Sequence, residues 1–90
     1  MDRATWNVDV HGTGHQIELR WSYWGGRREV YVDGTFAAGD TKVLRWKSRH
    51  PVDVAGKTCT VITRPKKHAK TVFDVFLDVD GQERAPDNIG

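Results

Sequence analysis

The chain has 90 residues, of which 38% are hydrophobic and 29% charged, and a formal net charge of +2 at pH 7. This size suits one small domain, and the composition excludes a disordered chain. The net charge is too small to predict a polyanionic partner by itself, because phosphate binding needs several clustered cations. A single cysteine excludes an intrachain disulfide, and no apolar run approaches the roughly 20 residues of a membrane helix. We therefore expect a soluble protein of the cytoplasm.

Two strands joined by a tight turn are predicted first. Apolar and polar residues alternate over residues 6–10, and again over 15–21 with Ile17, Leu19 and Trp21 on one face. An alternation with a period of two indicates a half-buried strand. The glycines between these segments favour a tight reversal.

A second hairpin is predicted around Asp33-Gly34. Two adjacent residues with positive φ are required in a type I′ turn, and Asp-Gly meets this requirement well. If Val30 and Val32 point inward, the register sets Tyr31 opposite Phe36 as an outer aromatic pair.

The middle of the chain contains weaker signals. Residues 37–40 are predicted as a weak break, and 42–47 as an alternating strand. The ring of Pro51 makes His50-Pro51 extended or turning. A turn at Ala55-Gly56 then leads into 58–63, whose β-branched residues favour a strand.

The strand with the clearest alternation is predicted over residues 73–79, after a basic loop at 64–70. It ends at Asp80-Gly81. The register of this turn sets Asp78 opposite Glu83, which is unfavourable, so we expect a short or bulged hairpin.

These segments predict an all-β fold, an antiparallel β-sandwich or flattened barrel of seven to eight short strands, because a single sheet would leave one apolar face in water. Residues 1–84 form a single β-sandwich domain in this prediction. Residues 85–90 lack any periodic pattern and are expected to be a flexible C-terminal tail. The predicted core is the set of apolar strand positions Trp6, Val8, Ile17, Leu19, Trp21, Val30, Val32, Leu44, Trp46, Val61, Val75, Leu77 and Val79.

Three segments of the first half resemble the N-terminal signature of the Fas apoptotic inhibitory molecule family: Trp6-Asn7-Val8, residues 14–19 and residues 26–34. The segments 56–63 and 76–81 agree more loosely. The resemblance implies an antiparallel β-sandwich that is not an enzyme and acts through protein contacts in the cytoplasm. It also implies a role in resistance to death-receptor-induced apoptosis or in restraint of protein aggregation. Animal members carry two such domains in tandem, whereas this sequence has one.

The predicted protein-binding residues lie in and after a glycine-containing loop. Tyr23, Trp24, Arg27 and Arg28 together have the composition of an interface hot spot. Packing of Trp24 over the sandwich edge is an equally weighted alternative. An unpaired edge strand offers a second mode of binding, through homodimerisation or capture of exposed segments of misfolded proteins.

A small nucleic-acid-binding β-domain is the alternative function. Its binding residues would be the basic cluster Arg64, Lys66, Lys67 and Lys70, extended by Arg27-Arg28. Exposed aromatic residues in the Tyr23–Trp24 loop would stack on bases. Charged loops of this kind are usually only solvated, so nucleic acid is the less favoured partner.

No metal site, cofactor or catalytic residue is predicted. His11 and His15 could meet across a turn, but spacing supplies no third zinc ligand. Asp74 and Asp78 lie roughly 13 Å apart along a strand, beyond the separations of about 5 to 9.5 Å that glycoside hydrolysis uses. Cys59 has no histidine at a signature spacing, so we expect it to fill space in the core. The chain is therefore not expected to be an enzyme.

Overall fold

Nine antiparallel strands make up the secondary structure of this computed structural model, which describes residues 2–22, 27–41, 47–66 and 69–90. No helix that could span a membrane occurs in these ranges. The strands are β1 (Asp2–Val10), β2 (Thr13–Trp21), β3 (Arg27–Val32), β4 (Thr35–Thr41), β5 (Ser48–Val54), β6 (Lys57–Lys66), β7 (Ala69–Val79), β8 (Gln82–Arg84) and β9 (Asn88–Ile89).

The strands form two sheets, one with the order β4-β3-β2-β1-β9 and the other with the order β5-β6-β7-β8. Alternate side chains of both sheets point into one shared core. The predicted all-β antiparallel sandwich is confirmed, and because both sheets are open the flattened barrel is not formed. The long axis of 39 Å is close to the roughly 36 Å length of an eleven-residue strand such as β7.

Four hairpins have the same two-residue turn: His11-Gly12, Asp33-Gly34, Ala55-Gly56 and Asp80-Gly81. The first residue of each has φ between 51° and 54°, and the glycine has φ between 80° and 88°. Positive φ at both positions defines a type I′ turn, whose twist matches that of the flanking strands. Because the strands are antiparallel, the two turns of each sheet lie at the same end of that sheet, and the other connections lie at its opposite end. We call these the turn end and the loop end of each sheet.

The predicted core agrees with the buried residues wherever the structure describes them. Eight of the predicted residues are no more than 6% exposed: Trp6, Val8, Ile17, Leu19, Val30, Val61, Val75 and Leu77. Trp21, Val32 and Val79 are partly buried and pack against this core. Leu44 and Trp46 lie outside the described residues.

Strand β5 was missed in the sequence, although its Val52 and Val54 belong to the core. Pro51 interrupts its pattern and has no N–H to donate to a sheet. The structure places β5 at the edge of its sheet, where a proline is tolerated on the solvent side. His50-Pro51 is extended, as one of the two predicted conformations requires.

The weak break predicted at 37–40 is wrong. These residues lie inside β4, which pairs with β3 through a β-bulge. Val30 pairs with Ala38 and Tyr31 with Phe36, so one strand position of β4 is left over. The extra residue interrupts the alternation of inward and outward side chains, and a strand with such an interruption has a sequence pattern like that of a loop.

The structure places a short strand within residues 85–90, the segment predicted as a flexible tail. Residues Asn88–Ile89 form β9, which pairs with Ala4 and Thr5 of β1. The Arg3 N–H donates to the Gly90 carbonyl at 3.0 Å, and the Gly90 N–H donates to the Arg3 carbonyl at 2.9 Å. A two-residue strand is too short for any alternation to reveal it, and its partners are backbone groups.

The last hairpin is short, as predicted, because β8 has three residues. Asp78 does lie opposite Glu83. The two carboxylates turn to different partners: Asp78 Oδ1 accepts the Gly81 N–H at 2.9 Å, and Glu83 Oε1 accepts from Arg64 at 2.7 Å. These contacts offset the repulsion that the register imposes.

Candidate protein-binding surface

The structure describes two of the four predicted protein-binding residues, and these two lie on opposite faces of β3. Arg27 and Arg28 are neighbours at the start of β3, and successive residues of a strand point to opposite faces. The Arg27 side chain is 62% exposed, whereas Arg28 is 0% exposed. The prediction that Arg28 contacts a partner is therefore corrected, since it shares the inward face of β3 with Val30. Tyr23 and Trp24 lie outside the described residues.

Polar side chains fill part of the interior on β5 and β6. The Ser48 and Thr63 hydroxyl oxygens lie 2.6 Å apart, and His50 Nε2 lies 3.1 Å from the Ser48 hydroxyl. Thr63 is fully buried and His50 nearly so. A histidine beside a serine could suggest a base and a nucleophile, but a chain of hydrogen bonds is also how buried polar groups are normally satisfied. Ser48 and His50 share a face with Val52, so we interpret these hydrogen-bonded side chains as a polar extension of the core.

The outer face of the five-stranded sheet presents an aromatic pair. The rings of Tyr31 and Phe36 meet edge to face, with centroids 5.8 Å apart and planes at 81°. Phe36 is 56% exposed. The Arg20 guanidinium carbon lies 4.3 Å from the centroid of the Tyr31 ring, within the range of a cation–π interaction. The aromatic pair predicted from the Asp33-Gly34 turn is confirmed.

Charged side chains surround this pair. Glu29 accepts a hydrogen bond from the Tyr31 hydroxyl at 3.0 Å and forms an ion pair with Arg27 at 3.1 Å. Arg20 forms an ion pair with Glu18. The hydrogen bond to Glu29 raises the pKa of Tyr31, because it places a carboxylate beside the hydroxyl. We call Arg20, Arg27, Glu29, Tyr31 and Phe36 the aromatic patch.

Gly39 fixes the position of the exposed Phe36 ring. A Cβ atom at Gly39 would lie 2.8 Å from the Arg28 carbonyl oxygen and 3.2 Å from the Phe36 ring. The ring therefore rests on backbone that only glycine leaves uncovered. The aromatic patch is held on paired strands, which makes it a more rigid surface than a loop.

Arg64 is the one residue of the predicted basic cluster whose side chain the structure describes. It forms two hydrogen bonds to the carboxylate of Glu83, and its guanidinium carbon lies 5.3 Å from the centroid of Phe76. Hydrogen bonding to Glu83 raises the pKa of Arg64. Lys67 lies outside the described residues, as do the side chains of Lys66 and Lys70. The charge of Arg64 is already balanced by a neighbouring carboxylate.

Arg27 and Arg64 each lie near the loop end of a sheet, but they belong to different sheets. Arg27 is on the outer face of the five-stranded sheet with Glu29, and Arg64 is on the outer face of the other sheet with Phe76. The two outer faces of a sandwich point away from each other. Of the described residues, Arg27 and Arg64 are therefore separated by the sandwich, and the extension of the basic cluster by Arg27-Arg28 stays a prediction.

The candidate metal and thiol residues have structural contacts. His15 lies near the turn end of β2, and its Nδ1 is 2.7 Å from Oδ2 of Asp33 in the turn between β3 and β4. Cys59 is fully buried, and loss of solvation raises the pKa of its thiol. Across the described ranges, no three His, Cys, Asp or Glu side chains are grouped so that they could hold a metal ion.

Comparison with known proteins identifies one family. Residues 2–85 match the family model described as Fas apoptotic inhibitory molecule (FAIM1). The match covers every strand from β1 to β8. No curated protein matches the chain.

Proposed function

The chain belongs to the Fas apoptotic inhibitory molecule family, and we propose that it acts as a non-catalytic protein-binding module in the cytoplasm. Its contacts with other proteins regulate apoptosis signalling or protein aggregation, the roles that this family implies. The family is not a known enzyme family, which supports a binding role over catalysis.

The exposed Phe36 on a rigid sheet is the observation that carries this proposal. Aromatic and arginine side chains are enriched at protein interfaces, and a few of them supply most of the binding energy. Phe36, Tyr31 and Arg20 are in contact before any partner arrives. A surface that is already ordered loses less conformational entropy on binding.

The charges of the aromatic patch favour a protein over a nucleic acid. Glu29 lies within bonding distance of Arg27, and Glu18 within bonding distance of Arg20. Carboxylates this close to the cations repel phosphate groups, whereas a protein surface of mixed charge can complement both signs. The balanced pair of Arg64 and Glu83 on the other outer face points the same way.

A binding experiment with a defined probe tests this proposal. We expect the wild-type protein to suppress the aggregation of a thermally unfolding test protein, and Phe36→Ala to require roughly 30-fold more protein for the same suppression, as for a hot-spot residue worth about 2 kcal/mol. Light scattering measures the suppression. Thr35→Ala is the matched control, because Thr35 is the exposed neighbour of Phe36 in β4.

The same preparations should be titrated with a fluorescent single-stranded RNA at low and high salt. Equal suppression by wild type and Phe36→Ala would remove the aromatic patch from the proposal. Tight RNA binding that weakens steeply with salt, together with no suppression, would favour the nucleic-acid alternative.

A further inference from the structure

The outer edge of β1 is occupied by the end of the same chain. Besides the two bonds between Arg3 and Gly90, the Asp87 N–H donates to the Thr5 carbonyl at 2.8 Å. The Asp87 carboxylate accepts the Asn7 N–H at 2.7 Å. The edge of β1 thus binds an extended segment in a defined register, with Ala4 opposite Ile89.

Backbone contacts hold β9 in place, and side-chain burial adds little. Both residues of β9 are exposed, and Ile89 is 68% exposed. The favourable hydrogen bonds therefore compete with the entropy of ordering the segment, without the burial that fixes the other strands. A strand held in this way opens locally more readily than the core strands.

The link between β8 and β9 is short. Residues 85–87 carry the chain from the four-stranded sheet to the five-stranded sheet. Packed sheets lie about 10 Å apart, and three residues span at most about 11 Å when extended. The link starts at Arg84, whose carbonyl accepts the Trp6 indole N–H at 3.0 Å. Short hinge segments of this kind favour exchange of the following element between copies.

We propose that β9 exchanges between two copies of this chain, so that each β9 occupies the β1 edge of the other copy in a two-fold symmetric dimer. Asp87 and Gly90 move with β9, so the exchanged dimer keeps every contact of residues 87–90 with the β1 edge, from Arg3 to Asn7, and residues 85 and 86 are the hinge. A second copy is the partner that fits, because the β1 edge already binds this sequence. Residues 86–90 lie outside the family match.

Mixed disulfide trapping tests the exchange. Thr5 and Asn88 lie directly opposite each other, and side chains opposed in this way are close enough for a disulfide. We expect Thr5→Cys protein mixed with Asn88→Cys protein to form a covalent heterodimer on oxidation. Each variant alone carries only one of the two cysteines that this disulfide needs. Non-reducing electrophoresis measures the product.

The matched control replaces Thr5→Cys with Thr35→Cys, an exposed position on β4 at the opposite edge of the sheet. Several-fold more heterodimer with Thr5→Cys, lost when Ile89→Pro is added to the Asn88→Cys chain, supports exchange. Equal amounts with both partners overturn it. Sedimentation of the unmodified protein provides a second measurement, and a strictly monomeric species from micromolar to millimolar concentration also overturns the proposal.

Discussion

Asp33 combines two roles at the turn end of its sheet. It occupies the first position of a type I′ turn with φ of 52°, and its two carboxylate oxygens bind the neighbouring strand. Oδ2 lies 2.7 Å from His15 Nδ1, and Oδ1 accepts the Gln16 N–H at 2.8 Å. The hydrogen bond with His15, followed by the one from Gln16, lowers the pKa of Asp33 below its usual value of 3.8.

This lowered pKa predicts a pH dependence of stability. A carboxyl group with a lower pKa in the folded state contributes its stability above the unfolded pKa, and this contribution is lost as the pH falls through the folded pKa. We expect Asp33→Asn, which keeps a residue suited to positive φ, to lose stability less steeply than wild type below pH of about 4. Urea unfolding between neutral and strongly acidic pH measures both curves. Parallel curves would show that the Asp33 carboxylate makes no net contribution.

Two features of single residues, at Arg28 and at Gly39, could not be predicted from the sequence. Strand alternation places Arg28 on the same face as the buried Val30. It does not show that the arginine is fully buried there, which is rare for this residue type. The role of Gly39 depends on the approach of the Phe36 ring across a bulge. Both features arise from tertiary packing, which the period of two does not encode.

The hairpin is the element that the sequence predicts best in this protein. Asp33-Gly34 and Asp80-Gly81 are recognised because their residues suit positive φ, and the registers of both hairpins follow from the turns. By contrast, β5 contains a proline, and β9 has two residues. Local chemistry predicts a turn, whereas the pairing of edge strands depends on what else lies beside them.

Ala55 is the least suited of the four first-position turn residues. It has φ of 51°, a conformation that asparagine and aspartate adopt more readily than alanine. We expect Ala55→Asn to stabilise the protein by about 0.5 to 1 kcal/mol, which corresponds to a rise in Tm of roughly 2 to 8 °C for a domain of this size. Differential scanning calorimetry measures the shift. Thr58→Asn, an exposed change three residues later in β6, is the control and should leave Tm unchanged or lower.

The described part of the chain has four sheet edges, and three of them have features that oppose pairing with other chains. Pro51 interrupts β5, and β8 and β9 have three and two residues. Such features are how natural sheets avoid joining edge to edge. The remaining edge, β4, has seven residues and presents Phe36 beside it. Phe36 and the exchanging β9 therefore lie on the two opposite edge strands of the same sheet, so either proposal can fail without the other.

Trp6 connects the two sheets through its packing and one hydrogen bond. It is 1% exposed in the shared core, and its indole N–H donates to the Arg84 carbonyl of β8 across the sandwich.

Trp6→Phe leaves that carbonyl without its donor and reduces the volume packed between the sheets. We expect a loss of about 2 to 4 kcal/mol in the free energy of unfolding, with one cooperative transition because a domain of this size has a single core. Urea unfolding followed by far-UV circular dichroism and by amide hydrogen exchange in both sheets measures this. Val8→Ala, which removes core volume and leaves the indole bond intact, is the comparison. Two separate transitions in either variant would show that the sheets are independent units joined only by the chain.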